Sequence, residues 1–183
     1  MKKKEFIRSV APYVASIIFL ASFILIAPFQ VNRITGSSME PTLSSGDVLV
    51  AFSSKFQSPE VGSVITFRLP KKWNVIDNKE GTSFIKRIIA VGGDTVEVKD
   101  NQLLVNGLLV VTIPRVVNYQ VKIVIEEGYY FVLGDNVKYS VDSLNRLLAY
   151  EEFLIHSKDI SSVKKLDSDN QEIQDYLDSR SSW

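Results

Sequence analysis

The sequence predicts an all-β fold, mainly antiparallel, behind one N-terminal transmembrane helix. Three observations carry this expectation. From Val31 onward, short β-rich runs recur between glycine, proline and polar clusters. Asn106-Gly107 is a strong two-residue hairpin signal, and Asp100-Asn101 is a second candidate turn. No amphipathic helical pattern of adequate length lies between the runs, which disfavours a parallel α/β arrangement.

In chain order, Met1 to Arg8 carries Lys2, Lys3, Lys4 and Arg8 against Glu5, and Val10 to Phe29 then runs without a charge. That is about the length that crosses a bilayer core, roughly 20 residues. A retained anchor and a cleaved secretory signal both fit a basic start before an apolar run. The run ends in Ile26-Ala27-Pro28-Phe29-Gln30 without a small-x-small site, and its length exceeds a usual signal core, which favours the anchor. The lysines then stay cytoplasmic and the chain after Gln30 lies outside. Pro12 and Pro28 fall near the ends of the expected helix, where proline disrupts least.

Expected strands are 47–52, 64–69, 83–91, 95–99, 102–105, 120–125 and 129–133. Lys71 to Gly81 is polar and reads as a loop or insertion, with Trp73 either a surface anchor or a packed residue. After Leu147 the chain becomes charged, and Ile173, Tyr176 and Leu177 at helical spacing indicate a short helix or a disordered tail. The expected organisation is a cytoplasmic basic N-terminus (1–9), a transmembrane anchor (10–29), an extracytoplasmic β domain (30–165) and a polar C-terminal tail (166–183).

Composition narrows the chemistry. Basic and acidic residues balance at 21 each, so no global field attracts nucleic acid, and no nucleic-acid partner is expected. The absence of cysteine removes thiol catalysis, disulfides and cysteine-based zinc sites. His156, the single histidine, has no neighbouring ligand spacing, so neither a metal nor another cofactor is expected. Nucleophilic chemistry on a serine therefore calls for a base other than histidine.

Three stretches concentrate the polar signals. Gly36-Ser37-Ser38-Met39-Glu40-Pro41-Thr42-Leu43 offers Ser38 on a turn constrained by Pro41. Ser83 to Val91 holds Lys86 and Arg87 side by side in an apolar strand, so the two must face opposite sides. A lysine in apolar surroundings has its charged form disfavoured and becomes a usable base near neutral pH. The other reading of Lys86 is an edge-strand lysine that blocks aggregation. The third stretch, Gly134 to Ser143, is a dense polar loop after the strand 129–133.

Together these stretches resemble the type I signal peptidase family, membrane-anchored serine proteases that use a Ser/Lys dyad. The likeness is carried by Ser38 to Leu43, Gly46-Asp47, Ile85 to Val96 and Gly134 to Ser143, in family order behind the N-terminal apolar run. It implies a signal-peptidase-like β domain with Ser38 as nucleophile and Lys86, as the neutral amine, as general base. Ser140 matches the serine that hydrogen-bonds and orients the lysine, and Asp142 matches a structural carboxylate. The Ser38 N–H is an implied oxyanion donor. Gly36 stands where many members place a further hydroxyl, as Gram-positive members often do. Asp135 and Asn136 are expected to shape the cleft loop. The implied activity is removal of N-terminal signal peptides from exported preproteins at the outer face of the cell membrane, in contact with membrane lipid and without a cofactor.

Two departures bear on that expectation. The family arginines after Gly-Asp-Asn and after Asp-Ser are Val137 and Leu144 here, and the usual Phe-Gly-x-Val continuation is missing. Asp142 then lacks its usual cationic partner, for which Arg146 or Arg87 would have to substitute. This reads as a divergent member specialised for a narrow set of exported proteins, pilins and other surface proteins among them. The competing expectation is a non-catalytic signal-peptidase-like factor that assists pilus or surface-protein assembly. Retention of Ser38 and Lys86 speaks against it.

Overall fold

The computed structural model describes residues 3–25, 28–68, 83–148 and 154–181. The Lys71–Gly81 loop, with Trp73, lies outside the described residues.

The N-terminal helix α1 (Lys3–Leu25) contains Pro12 well inside its span, rather than near its start as expected. Ser16 Oγ donates to the Pro12 carbonyl at 2.8 Å, which occupies an acceptor in that turn. Among the described residues no helix is long and apolar enough to cross a membrane, so the expected transmembrane anchor over 10–29, of which residues 26–27 lie outside them, is without support there. The charges of α1 all precede Val10, and Phe29, expected at the end of the span, belongs to strand β1 (Phe29–Arg33).

Two antiparallel sheets form the body of the protein. The larger runs in the order β1, β2 (Val48–Ser53), β11 (Ile160–Lys164), β3 (Val64–Arg68), β4 (Ser83–Val91), β9 (Tyr129–Leu133), β10 (Ile155–His156). The smaller runs β7 (Leu108–Thr112), β6 (Gln102–Val105), β5 (Thr95–Lys99), β8 (Val121–Val124). Strands β4, β5, β6 and β9 occupy the ranges the sequence predicts, and β2, β3 and β8 agree to within a residue at either end. Both two-residue turns form as expected: Asp100, Asn101, Asn106 and Gly107 all have positive φ, matching the twist of hairpin strands.

The position of β4 decides between the two readings of Lys86. This strand pairs with β3 on one side (Ile65↔Lys86, Val64↔Arg87) and with β9 on the other (Arg87↔Leu133). It is interior, which removes the edge-strand reading. A register shift between Ile88 and Ala90 against β9 marks a bulge. Beyond it the chain turns at Gly92-Gly93 and enters the smaller sheet.

Three apolar clusters fill the interior. One lies between the smaller sheet and helices α2 (Ser143–Leu148) and α3 (Gln171–Ser181), with Ile173 and Tyr176 fully buried and Leu177 against them. Burial of such side chains stabilises by about 1.5–3 kcal/mol each. Of the two expectations for the C-terminal stretch, the short helix is therefore what forms, and it packs on the core. A second cluster sits under β3, β4 and β9. The third contains Ile34, Met39, Leu43 and Leu49, with Ile85 and Leu166 at its margin, and underlies the Ser38 turn.

Candidate active site

The turn that carries Ser38 is fixed from below and from the side. Ile34, Met39 and Leu43 are buried around it, while Leu43 N donates to Met39 O at 2.9 Å and Glu40 N to Ser37 O at 3.2 Å. Gly36 has φ +87°, a conformation that side chains with a Cβ rarely adopt, and it lets the chain reverse just before Ser38. From the facing loop, Asn136 N donates to Ser38 O at 3.1 Å and Asn136 Nδ2 to Ser37 O at 3.0 Å. Gly134 permits that approach: a Cβ there would overlap Ser38 O and Ser140 Oγ.

Lys86 and Arg87 leave β4 on opposite sides and both are buried. Lys86 Nζ lies 2.7 Å from Ser38 Oγ and donates to Ile85 O at 3.0 Å. The Phe84 ring centroid is 5.8 Å from the amine. Burial lowers the Lys86 pKa from 10.5 to about 8, with the negative charges of Asp142 and Asp135 acting in the opposite sense. An amine of that pKa is substantially neutral at mildly alkaline pH, so it can accept the proton of the hydroxyl beside it.

Arg87 engages Asp135 in a buried fork, Nε to Oδ1 at 2.9 Å and Nη2 to Oδ2 at 2.7 Å, both side chains being fully buried. The guanidinium also donates to the carbonyls of Gly62 (2.8 Å), Leu166 and Asp167 (3.1 Å). Asp135 Oδ2 accepts in addition from Thr42 Oγ1 and from Ser168 Oγ at 3.0 Å. With this many donors the pair satisfies the condition on which a buried ion pair is tolerated.

Asp142 is held differently from expectation. Arg87 is committed to Asp135 and does not substitute for the missing cationic partner, and the Arg146 side chain lies outside the described residues. Instead Asp142 accepts from Gly134 N at 3.0 Å and Asn145 N at 3.1 Å. Burial pushes its carboxyl up, against those two N–H groups and the Lys86 charge, which act the other way. Val137 packs against the core and Leu144 is buried within it, so apolar packing stands at the two positions where the resemblance led to an expectation of arginine. Ser140 Oγ lies beside the Asp142 carboxylate, close enough to favour its ionised form, yet makes no hydrogen bond of ordinary geometry. The hydrogen bond expected from Ser140 to Lys86 is thus not formed; the amine is directed to Ser38 and to the Ile85 carbonyl instead.

A cleft of about 500 Å³ opens over the pair, lined among others by Ile34, Gly36, Ser38, Ile85, Lys86 and Tyr139. The structure therefore brings Ser38, Lys86 and Gly36 to one cleft and sets Asn136 against its turn. Asp135, Ser140 and Asp142 are buried side chains of the loop that follows β9. Sequence reasoning missed Thr42, Gly134 and Ser168 as parts of this arrangement. Thr42 and Gly134 stood within the recognised stretches, whereas Ser168 carried no local signal. His156, for which no role was expected, caps the short turn Ser157–Asp159 by accepting from Lys158 N at 3.1 Å. Among the described residues no group of side chains is placed to hold a metal ion.

Comparison with known proteins gives a consistent result. Residues 4–150 match the family described as signal peptidase, peptidase S26. A probable signal peptidase I-1 from Synechocystis is 35% identical over 144 residues, covering 76% of this chain and 74% of that protein. Signal peptidase I U from Bacillus subtilis is 30% identical over 164 residues, covering 79% and 81%. Probable thylakoidal processing peptidase 2 from Arabidopsis thaliana is 39% identical over 119 residues, covering 62% of this chain; this chain spans only 32% of the length of that protein. With its family match extending over most of its length and these relatives beside it, the chain belongs to the signal peptidase family, peptidase S26.

Proposed function

We propose that this protein is a membrane-held serine endopeptidase that removes signal peptides from exported preproteins through a Ser38/Lys86 dyad. The observation that carries the proposal is the 2.7 Å approach of Lys86 Nζ to Ser38 Oγ, with burial lowering the lysine pKa to about 8. In the proposed reaction the neutral amine takes the Ser38 proton as Oγ attacks the carbonyl of the scissile bond. The oxyanion is received by preorganised donors, the Ser38 N–H among them. The protonated amine then passes its proton to the leaving amine, and water, activated by the same lysine, hydrolyses the acyl-enzyme.

Membrane attachment is proposed on two apolar surfaces. Tyr13, Ile17 and Phe19 of α1 are each more than two-thirds exposed. On the outer face of β1 and β2, Phe29, Val31, Val48, Val50 and Phe52 are exposed, with Phe29 paired to Phe52 and Val31 to Val50. A continuous apolar face of this kind marks an interaction site rather than ordinary surface. With α1 at the membrane and the catalytic domain outside the cytoplasm, the cleft would meet a signal peptide as it leaves the bilayer. Pilins and other surface proteins are the proposed narrow substrate range.

The non-catalytic assembly-factor reading drew on the two missing arginines. Val137 and Leu144 are accommodated as core packing, which leaves that reading without its motive. Serine-dependent cleavage of a panel of preproteins and pilins, mapped by mass spectrometry, tests the proposal.

A further inference from the structure

The C-terminal stretch that follows the family-matched residues 4–150 is not confined to packing on the core. Between β11 and α3 it passes directly behind the Ser38 turn. Five hydrogen bonds join it to residues there. Ser168 Oγ donates to Asp135 Oδ2 at 3.0 Å, and Asn170 Nδ2 donates to Asp135 O at 2.8 Å. Asp169 N donates to Thr42 Oγ1 at 3.0 Å, while Thr42 Oγ1 itself donates to Asp135 Oδ2. The carbonyls of Leu166 and Asp167 accept from Arg87, and Leu166 packs at the margin of the cluster under the turn.

These contacts converge on three residues that each sit one step from the proposed dyad. Thr42 belongs to the turn of Ser38. Asp135 precedes Asn136, which holds the carbonyls of Ser37 and Ser38. Arg87 follows Lys86 on an interior strand. We infer that residues 166–170 are a positioning element of the active site, with Ser168 and Asn170 fixing Asp135 so that the Ser38 turn and Lys86 keep their register. Ser168 is the centre of this element: it is buried, and its hydroxyl donates to the same carboxylate oxygen that receives Arg87 Nη2 and Thr42 Oγ1. Further along, the stretch is held by bonds that do not reach the site. Tyr176 OH donates to Ile89 O at 2.7 Å, and Arg180 Nη2 donates to both oxygens of Asp94 at 2.7–2.8 Å.

This division supplies the test. The inference rests on the peptidase reading for its effect on catalysis, but its physical content, a fixed turn, is measured without activity. In the full chain, Ser168→Ala and Tyr176→Phe are compared with wild type by hydrogen–deuterium exchange of residues 36–43, whose amides include Glu40 and Leu43. Both variants are held under conditions in which the chain is folded. Expected is several-fold faster exchange over 36–43 in Ser168→Ala, rescue by Ser168→Thr, and no change there in Tyr176→Phe, even though Tyr176→Phe lowers thermal stability. On a cleaved preprotein, Ser168→Ala lowers kcat by about tenfold or more and leaves KM within about twofold, since small misplacements of reacting groups are costly in rate. Unchanged exchange over 36–43 in Ser168→Ala, or equal changes in Ser168→Ala and Tyr176→Phe, overturns the inference. A wild-type protein that cleaves nothing overturns the peptidase reading instead, and the exchange result still decides the inference.

Discussion

Lys86 Nζ sits 2.7 Å from Ser38 Oγ, although the two residues arrive from an interior strand and a turn that are 48 positions apart in sequence. Lys86 is 2% exposed, its amine lies beside the Phe84 ring, and no histidine takes part in the contact. The relationship makes the protonation state of one lysine the variable on which the proposed chemistry turns.

The first prediction concerns rate and pH. In the proposed dyad the working form of Lys86 is the neutral amine, and burial lowers its pKa to about 8. Below that value kcat/KM should fall roughly tenfold per pH unit, and above it should level off, because the fraction of free base sets the rate. A pH–rate profile of preprotein cleavage checks this. A rate that is flat from acidic to alkaline pH would contradict a lysine base.

The second concerns stability, and its sign follows from the same shift. The folded-state pKa of Lys86 lies below its unfolded value, so folding favours the neutral amine. Below about 8 both states carry the proton and the folded chain bears the burial penalty; between about 8 and 10.5 the penalty is relieved as pH rises. Lys86→Met should therefore stabilise the protein near pH 7 by about 3 kcal/mol, the advantage vanishing above pH ~10.5. Urea denaturation at both pH values measures the difference. A destabilised Lys86→Met at pH 7 would contradict the assignment of burial as the dominant cause.

The third concerns the buried fork. Asp135→Asn leaves the Arg87 charge without its counterion and should cost about 3–5 kcal/mol. Arg87→Lys should not restore stability, since an ammonium cannot serve both carboxylate oxygens and the carbonyls of Gly62, Leu166 and Asp167 together. Denaturation midpoints of the two variants decide it, and a wild-type midpoint in either would count against the network.

The fourth separates two glycines. At Gly134 a Cβ would strike Ser38 O and Ser140 Oγ, so Gly134→Ala should displace the Ser38 turn and lower both thermal stability and kcat. At Gly36 a Cβ meets nothing within 4 Å, and Gly36→Ala pays only the strain of φ +87°, roughly 1 kcal/mol. Equal effects of the two substitutions would rule out the close approach of the loop to the turn as the cause.

The fifth addresses the membrane. Val48, Val50 and Phe52 are exposed on the outer face of β2, so their joint replacement by serine should leave the fold intact, within about 0.5 kcal/mol per site. Co-sedimentation with lipid vesicles should nonetheless fall several-fold. Unchanged vesicle binding would remove this face from the proposed attachment.

Much of the fold was legible because local signals and tertiary context agree. The nine-residue run of β4 and the positive-φ turns at Asp100-Asn101 and Asn106-Gly107 needed no distant partner to be read. Strand β11 was missed for the opposite reason. Its Ser162 looks like a surface residue but is buried, with its hydroxyl 2.6 Å from Thr66 Oγ1 on β3. Strand β7 was missed although the Asn106-Gly107 turn demands a returning partner, because its burial pattern does not alternate. Strand β1 was not among the expected strands: Phe29 closed the apolar run, and the four residues after it include Gln30, Asn32 and Arg33 and carry little strand signal of their own. At the candidate site, Ser38 and Lys86 were legible from residue types in apolar or constrained settings and from family likeness. The Arg87–Asp135 fork and the approach of Ser168 were not, since each depends on segments brought together only by the completed sheet.

The most direct measurement is cleavage of a preprotein by the wild-type chain and by Ser38→Ala and Lys86→Ala, with the products mapped by mass spectrometry. A dyad predicts a cut at the end of the signal peptide by the wild type and none by either variant, with all three proteins folded. Cleavage by either variant at the wild-type rate would contradict it.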